Sequence, residues 1–150
     1  MSRATGRAVR QGAPLKTGDS ENKMPAKFLL VDDEEDYINT LSERLELRGL
    51  GADVVHDGAG ALSYLARHEP DVVVLDIRMP GMDGIEVLRQ IKRDHPTVEV
   101  VMATGHGSAV EEKLARQLGA FAYFGKPVDI AELSATMKEA SAARRRQGQG

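Results

Sequence analysis

Asp71-Val72-Val73-Val74-Leu75-Asp76 decides the fold: four aliphatic residues in a row, closed by an acid at each end. Valine favours strand, and a run without alternation has no side suited to water, so the strand it forms is covered on both faces. Such a strand belongs in a parallel sheet with helices above and below. Working outward, similar short runs stand at 28–31, 52–55, 98–102 and 121–124. Between them the apolar residues take helical spacing: Ile38, Leu41 and Leu45, then Ile85, Leu88 and Ile91, then Ile130, Leu133, Met137 and Ala140. Turn formers mark the boundaries at Gly49, Gly58, Pro70, Pro80-Gly81, Pro96, Gly119 and Pro127. One strand-helix unit repeated five times predicts an α/β fold, a doubly wound five-stranded parallel sheet.

The chain has 150 residues, 41% hydrophobic and 29% charged, which is globular composition and excludes wholesale disorder. Three Phe, three Tyr and no Trp leave the core to Val, Leu, Ile and Ala. The absence of cysteine excludes a disulfide framework, a thiolate metal site and a cysteine nucleophile, and it fits a reducing cytoplasm, the predicted location. No apolar run approaches the ~20 residues of a membrane helix, and residues 1–26 lack the apolar stretch of a secretory signal. Charge is unevenly spread. The net −3 divides into +3 for residues 1–26, −9 for 27–143, and +3 for 144–150 with Arg144, Arg145 and Arg146. Basic ends can signal nucleic acid, but the acidic body would repel a phosphate backbone. The predicted division is a disordered basic tail over 1–26, a domain over 27–143 and a solvated basic tail over 144–150. Ordered sequence is expected just after Met24, which makes that residue a candidate biological start.

Parallel sheets place their ligands at the carboxyl ends of the strands. Those positions hold Asp32-Asp33, His56-Asp57, Asp76, Thr104 and Lys126-Pro127. Each has an ordinary structural explanation. Asp33 with Glu34, Glu35 and Asp36 can cap and charge-match a helix N-terminus; Asp76 can form a turn before Met79-Pro80-Gly81. Thr104 can be a strand-to-loop residue, Lys126 a surface lysine, Tyr123 an aromatic on a surface-facing strand position; Asp57-Gly58 reads as a plain turn. Together they say more. Adjacent parallel strands would bring Asp32, Asp33 and Asp76 to one end of the sheet. Like charges about 4 Å apart repel by roughly 4 kcal/mol at an effective dielectric near 20, so a compensating cation is expected. Carboxylates and water suit Mg²⁺, which also accepts a phosphate oxygen. With Lys126 and Thr104 to hold phosphoryl oxygens, the set makes a phosphoryl-acceptor site with a carboxylate nucleophile.

Four stretches carry a family resemblance: Leu29-Leu30-Val31-Asp32-Asp33-Glu34-Glu35, Val74-Leu75-Asp76-Ile77-Arg78-Met79-Pro80-Gly81-Met82-Asp83-Gly84, Ala103-Thr104-Gly105 and Tyr123-Phe124-Gly125-Lys126-Pro127. Through them residues 27–143 resemble the receiver domain of two-component response regulators, in the stand-alone, chemotaxis-receiver-like form without an output domain. The resemblance implies a flavodoxin-like (βα)5 fold with strand order 2-1-3-4-5. It implies that Asp76 accepts a phosphoryl group from a phosphohistidine on a sensor histidine kinase or phosphotransferase protein, in a two-component or phosphorelay system. Asp33 and Asp76 would be direct Mg²⁺ ligands, Asp32 would bind mainly through water, and the backbone carbonyl of Arg78 would complete the protein ligands. Lys126 would pair with the phosphoryl group, and its bond to Pro127 would be cis. Thr104 and Tyr123 fall on the family's switch pair: the Thr104 hydroxyl is drawn to the phosphoryl group, and the Tyr123 ring fills the vacated space. A downstream protein would then read the face formed by the fourth helix, fifth strand and fifth helix. Arg78 and His106 occupy positions that tune water access, and the small Gly105 leaves the acceptor open. Such a protein is a phosphoacceptor regulator that promotes only its own phosphorylation and dephosphorylation, with no membrane and no nucleic acid among its expected partners.

Other phosphate chemistry fails on spacing. Gly119 and Gly125-Lys126 are separated by five residues where a P-loop needs four, and Pro127 replaces its Ser or Thr. Gly105-His106-Gly107 meets Val110 where a dinucleotide fingerprint needs a small residue. A dehalogenase-type phosphatase would want an acid at Arg78. His56, His68, His95 and His106 show no metal-ligand spacing. The remaining alternative is a receiver-like interaction module that works without phosphorylation; the intact acceptor, metal and lysine positions argue against it. The 24 residues after Lys126 suffice for a last helix and a short tail, which leaves binding of a partner or onward phosphotransfer as the expected output.

Overall fold

The computed structural model describes residues 27–105 and 107–149. The expected N-terminal tail, with Met24, and His106 lie outside the described residues. Strands β1 (Phe28–Val31), β2 (Ala52–Val55), β3 (Val72–Leu75), β4 (Glu99–Thr104) and β5 (Ala122–Gly125) alternate with helices α1 (Glu35–Leu47), α2 (Gly58–Leu65), α3 (Gly84–Asp94), α4 (Ala109–Gln117) and α5 (Ile130–Gln149). All pairings are parallel and the order is β2-β1-β3-β4-β5, the flavodoxin-like arrangement. Among the described residues no helix is long and apolar enough to cross a membrane.

The period-two pleat divides each strand between two cores. Leu29, Val31, Val73, Leu75, Val100 and Met102 face one layer with Leu65, Val87, Leu88 and Ile91. Phe28, Leu30, Val72, Val74, Val101 and Ala103 face the other, packed on Ile38, Leu45, Leu133 and Met137. This is why the valine run needs no alternation: both of its faces are buried, each such side chain contributing about 1.5–3 kcal/mol. Strand β4 starts one residue later than the sequence predicts, because the Val98 amide bonds to the His95 carbonyl in the turn after α3. Asp57 is not a plain turn residue: its carboxylate accepts the Gly60 amide at 2.7 Å and caps α2.

The C-terminal basic residues are a correction. Helix α5 does not stop near Ala143 but runs on to Gln149. Asp71 and Glu99, at the amino ends of β3 and β4, are buried acids that require partners. The Ser141 hydroxyl donates to Asp71 at 2.6 Å, and Arg144 and Arg145 each reach it at 3.1 Å. Arg144 also pairs with Glu69, and Gln147 donates to Glu99 at 2.7 Å. Cations in the last turns also suit the helix dipole. Burial pushes the Asp71 carboxyl up, but hydrogen bonds from Ser141, Arg145 and Arg144 together outweigh it and hold it below the usual carboxylate range. A carboxyl lowered on folding contributes stability above its unfolded value and loses it as pH falls through the lower folded value. In urea unfolding at neutral pH, Asp71→Ala should therefore lose about 3 kcal/mol, and its stability should fall less steeply than the wild type's below about pH 4.

Candidate functional site

Register builds the site. Val31 pairs with Leu75 across β1 and β3, so the next residues, Asp32 and Asp76, emerge side by side. Their backbones are fixed: the Asp76 amide bonds to Val31 O at 3.1 Å and the Asp32 amide to Val55 O at 3.2 Å. Asp32 and Asp76 are buried and Asp33 is exposed, and one carboxylate oxygen of each lies within 4.8 Å of the others. The Asp32 carboxylate accepts the Glu34 amide at 2.9 Å. Glu34, not Asp33, stands at the N-cap of α1, and it makes no side-chain cap bond. Capping thus does not account for Asp33.

Lys126 enters from the far side of the sheet. Its amide bonds to Thr104 O at 3.0 Å, and its peptide bond to Pro127 is cis. Its ammonium donates to Asp32 at 2.7 Å, Glu34 at 2.9 Å and Asp76 at 3.5 Å, and it stands 4.6 Å from the centre of the Tyr37 ring. Burial alone would lower the Lys126 pKa, but hydrogen bonds to Asp32 and Glu34 reverse the effect and hold it above the ordinary lysine range. Burial pushes the Asp32 carboxyl up, against the pull of Lys126 and the Glu34 amide. The cation that the acid cluster demands is therefore partly internal. One ammonium against Asp32, Asp33 and Asp76 leaves negative charge at the mouth, and three hard oxygen donors this close fit a divalent cation.

The other predicted residues surround this group. The Arg78 amide lies 3.4 Å from the Asp76 carboxylate, while its guanidinium reaches Glu111 of α4 at 3.1 Å. Thr104 ends β4 and is fully buried. Gly105 is not a steric requirement, since a Cβ there would meet Lys126 only at 3.7 Å, an ordinary contact. Tyr123 is partly buried rather than fully surface-facing: its ring packs against the core, and its hydroxyl is buried without a hydrogen-bond partner among the described residues. Burial pushes the Tyr123 hydroxyl pKa up, and Glu111 and Glu112 add to the shift. An unpartnered buried hydroxyl costs roughly 1–3 kcal/mol, so packing alone holds the ring in.

Sequence reasoning missed Glu34, Tyr37 and Glu111. Tyr37 lies in the first turn of the helix that follows the acids, but nothing local shows that its ring would face Lys126. Glu34 is one of four consecutive acids after Asp32, and nothing local distinguishes the one that meets Lys126. Gly84 does have a steric role, because a Cβ there would lie 2.0 Å from the Asp76 carbonyl oxygen. Helix α3 can therefore seat against the Asp76–Ile77 backbone only without a side chain at its first residue. Gly84→Ala should destabilise the protein by about 1–3 kcal/mol in thermal or urea unfolding, the usual range for overpacking.

Comparison with known proteins gives the arrangement a family. The model of the response regulator receiver domain matches residues 28–138. The DNA-binding transcriptional regulator NtrC of Escherichia coli (strain K12) is 41% identical over 111 residues, covering 74% of this chain and 24% of NtrC. Response regulator MprA of Mycobacterium sp. (strain KMS) is 35% identical over 115 residues, covering 77% of this chain and 50% of MprA. The chain thus spans half or less of these curated relatives. The solved receiver domain of NtrX from Brucella abortus is 32% identical with a TM-score of 0.72, covering 77% of this chain and 98% of that one. A CheY-like receiver domain protein from Methanospirillum hungatei JF-1 shares the fold, with a TM-score of 0.77 at 24% identity over 83% of this chain and 99% of that one. A match over residues 28–138, on a sheet that gathers Asp32, Asp33 and Asp76 against Lys126, makes this chain a member of the response regulator receiver domain family.

Proposed function

We propose that this domain is the phosphoacceptor switch of a two-component or phosphorelay system, with Asp76 as the acceptor. The carrying observation is the convergence of Asp32, Asp33 and Asp76 within 4.8 Å, with the Lys126 ammonium bonded to two of them, in a chain of the receiver family. The donor is a phosphohistidine of a sensor histidine kinase or phosphotransferase protein. A carboxylate oxygen of Asp76 attacks phosphorus, the P–N bond breaks, and the electron pair leaves on the imidazole nitrogen, which takes up a proton. Lys126, 3.5 Å from the Asp76 carboxylate before reaction, turns to a phosphoryl oxygen, and the Thr104 hydroxyl donates to another. Asp33 and Asp76, Asp32 mainly through water, and the Arg78 carbonyl would hold Mg²⁺, which would supply positive charge against the phosphoryl oxygens. The Arg78 guanidinium, anchored on Glu111, sets how readily water reaches the acyl phosphate. No substrate other than its own aspartate is turned over, and the output is a change at the α4-β5-α5 face, read by a protein partner in the cytoplasm. In this reading the receiver domain spans 27–143 with the rest of α5 continuing it.

Incubation with acetyl phosphate and Mg²⁺ should add ~80 Da, one phosphoryl group, to the wild type and nothing to Asp76→Asn; an equal gain by the variant would move the acceptor elsewhere. Magnesium alone should raise wild-type stability by about 1.4 kcal/mol at a tenfold excess over its dissociation constant. Asp33→Asn should lose that response in urea unfolding. Without metal the same variant should be more stable than the wild type, because one charge of the under-compensated cluster is gone.

A further inference from the structure

We propose that Gly107 is the positioning residue that decides where the Tyr123 ring sits. Tyr123 projects from β5 toward the loop that joins β4 to α4, and the tip of its ring occupies the space a side chain at residue 107 would need. A Cβ built on Gly107 would lie 1.7 Å from the Tyr123 hydroxyl oxygen, 2.8 Å from its Cζ and 2.8 Å from the Thr104 methyl. No real structure tolerates such approaches to the rigid end of an aromatic ring. The backbone of Gly107 does not itself require glycine, because its φ lies outside the left-handed range. What excludes a side chain there is chiefly the ring, with the Thr104 methyl beside it, and conversely the lack of one is what admits the ring.

The seat holds by packing, since the hydroxyl has no hydrogen-bond partner among the described residues. A second tyrosine shows the contrast: Tyr64 donates its hydroxyl to Asp53 at 2.7 Å. An inward ring with nothing to anchor its polar tip is a state that a small change can empty, and a single methyl at residue 107 is such a change. Through the Thr104 methyl the seat also adjoins the residue whose hydroxyl faces the phosphoryl group in the reading above. On that reading, Gly107 lets the switch tyrosine sit inward before any phosphoryl group arrives, and a larger residue there would hold the ring out.

The test uses the full chain with ¹³C-labelled tyrosine rings, Tyr123 being assigned through Tyr123→Phe. The wild type should show nuclear Overhauser contacts between the Tyr123 ring and the Thr104 methyl. Gly107→Ala should lose them and shift the Tyr123 ring signals, while acetyl phosphate and Mg²⁺ still add the mass of one phosphoryl group. Contacts that survive in Gly107→Ala overturn the proposal. Stability gives a second reading: Gly107→Ala should lower the unfolding midpoint clearly in the wild type and much less in a Tyr123→Ala background, where only the Thr104 methyl still opposes the new side chain. An equal loss in both backgrounds, or a double variant that fails to fold, overturns it as well. A wild type that gains no mass would instead refute Asp76 as acceptor, and the ring contacts would still decide the role of Gly107.

Discussion

The structure depends on an electrostatic constraint at the carboxyl end of the sheet. Parallel register places Asp32 and Asp76 next to one another at the top of two fully buried strands, with Asp33 beside them. At such separations unshielded carboxylates repel by several kcal/mol, roughly 4 at an effective dielectric near 20. Lys126 relieves this by reaching from the end of β5 to Asp32 and Asp76, with Glu34 and the Tyr37 ring holding its other sides. The relief is partial. A single ammonium stands against three carboxylates, and oxygen donors this close could hold a further cation.

The opposite end of the sheet shows the same problem solved to completion. Asp71 and Glu99 are also buried acids on adjacent strands, yet Ser141, Arg144, Arg145, Gln147 and Lys92 surround them. Helix α5 supplies most of these groups from its last turns, which is why it continues well past the sheet. With partners on every side, this end holds the helix and retains no charge for a ligand. Acids alone do not mark function in this fold; the degree to which the fold neutralises them does.

Between the acid cluster and the outer face lies a linked set of contacts. Arg78, two residues after Asp76, pairs with Glu111 in the first turn of α4, and Tyr123 lies under the loop leading into that helix. The beginning of α4 is therefore tied to the loop after β3 by an ion pair and to β5 by a packed ring. On the proposed function, these ties would give a phosphoryl group on Asp76 two physical routes to one surface, one electrostatic and one steric.

How much of this could be read from the chain depends on the range of the interaction. The valine run over 72–75 and the apolar run at 28–31 became strands as predicted, because burial on both faces leaves a local hydrophobic signature, and the half-buried edge strand at 52–55 kept enough of it to be read. The acids after β1 and β3 and the lysine after β5 were legible for the same reason, since parallel topology turns a position after a strand into a place in space. The fate of residues 144–150 was not legible. Three arginines look alike in sequence whether they meet water or a buried Asp71, and the acid that recruits two of them lies about seventy residues away. The orientation of Tyr123 was equally hidden, because it turns on the empty space above Gly107, which no property of either residue alone encodes. Hydrophobic period and topology are written locally and determined the sheet and the gathering of the acids. Pairing of charges and availability of space are properties of surfaces brought together, and only the folded chain decided them.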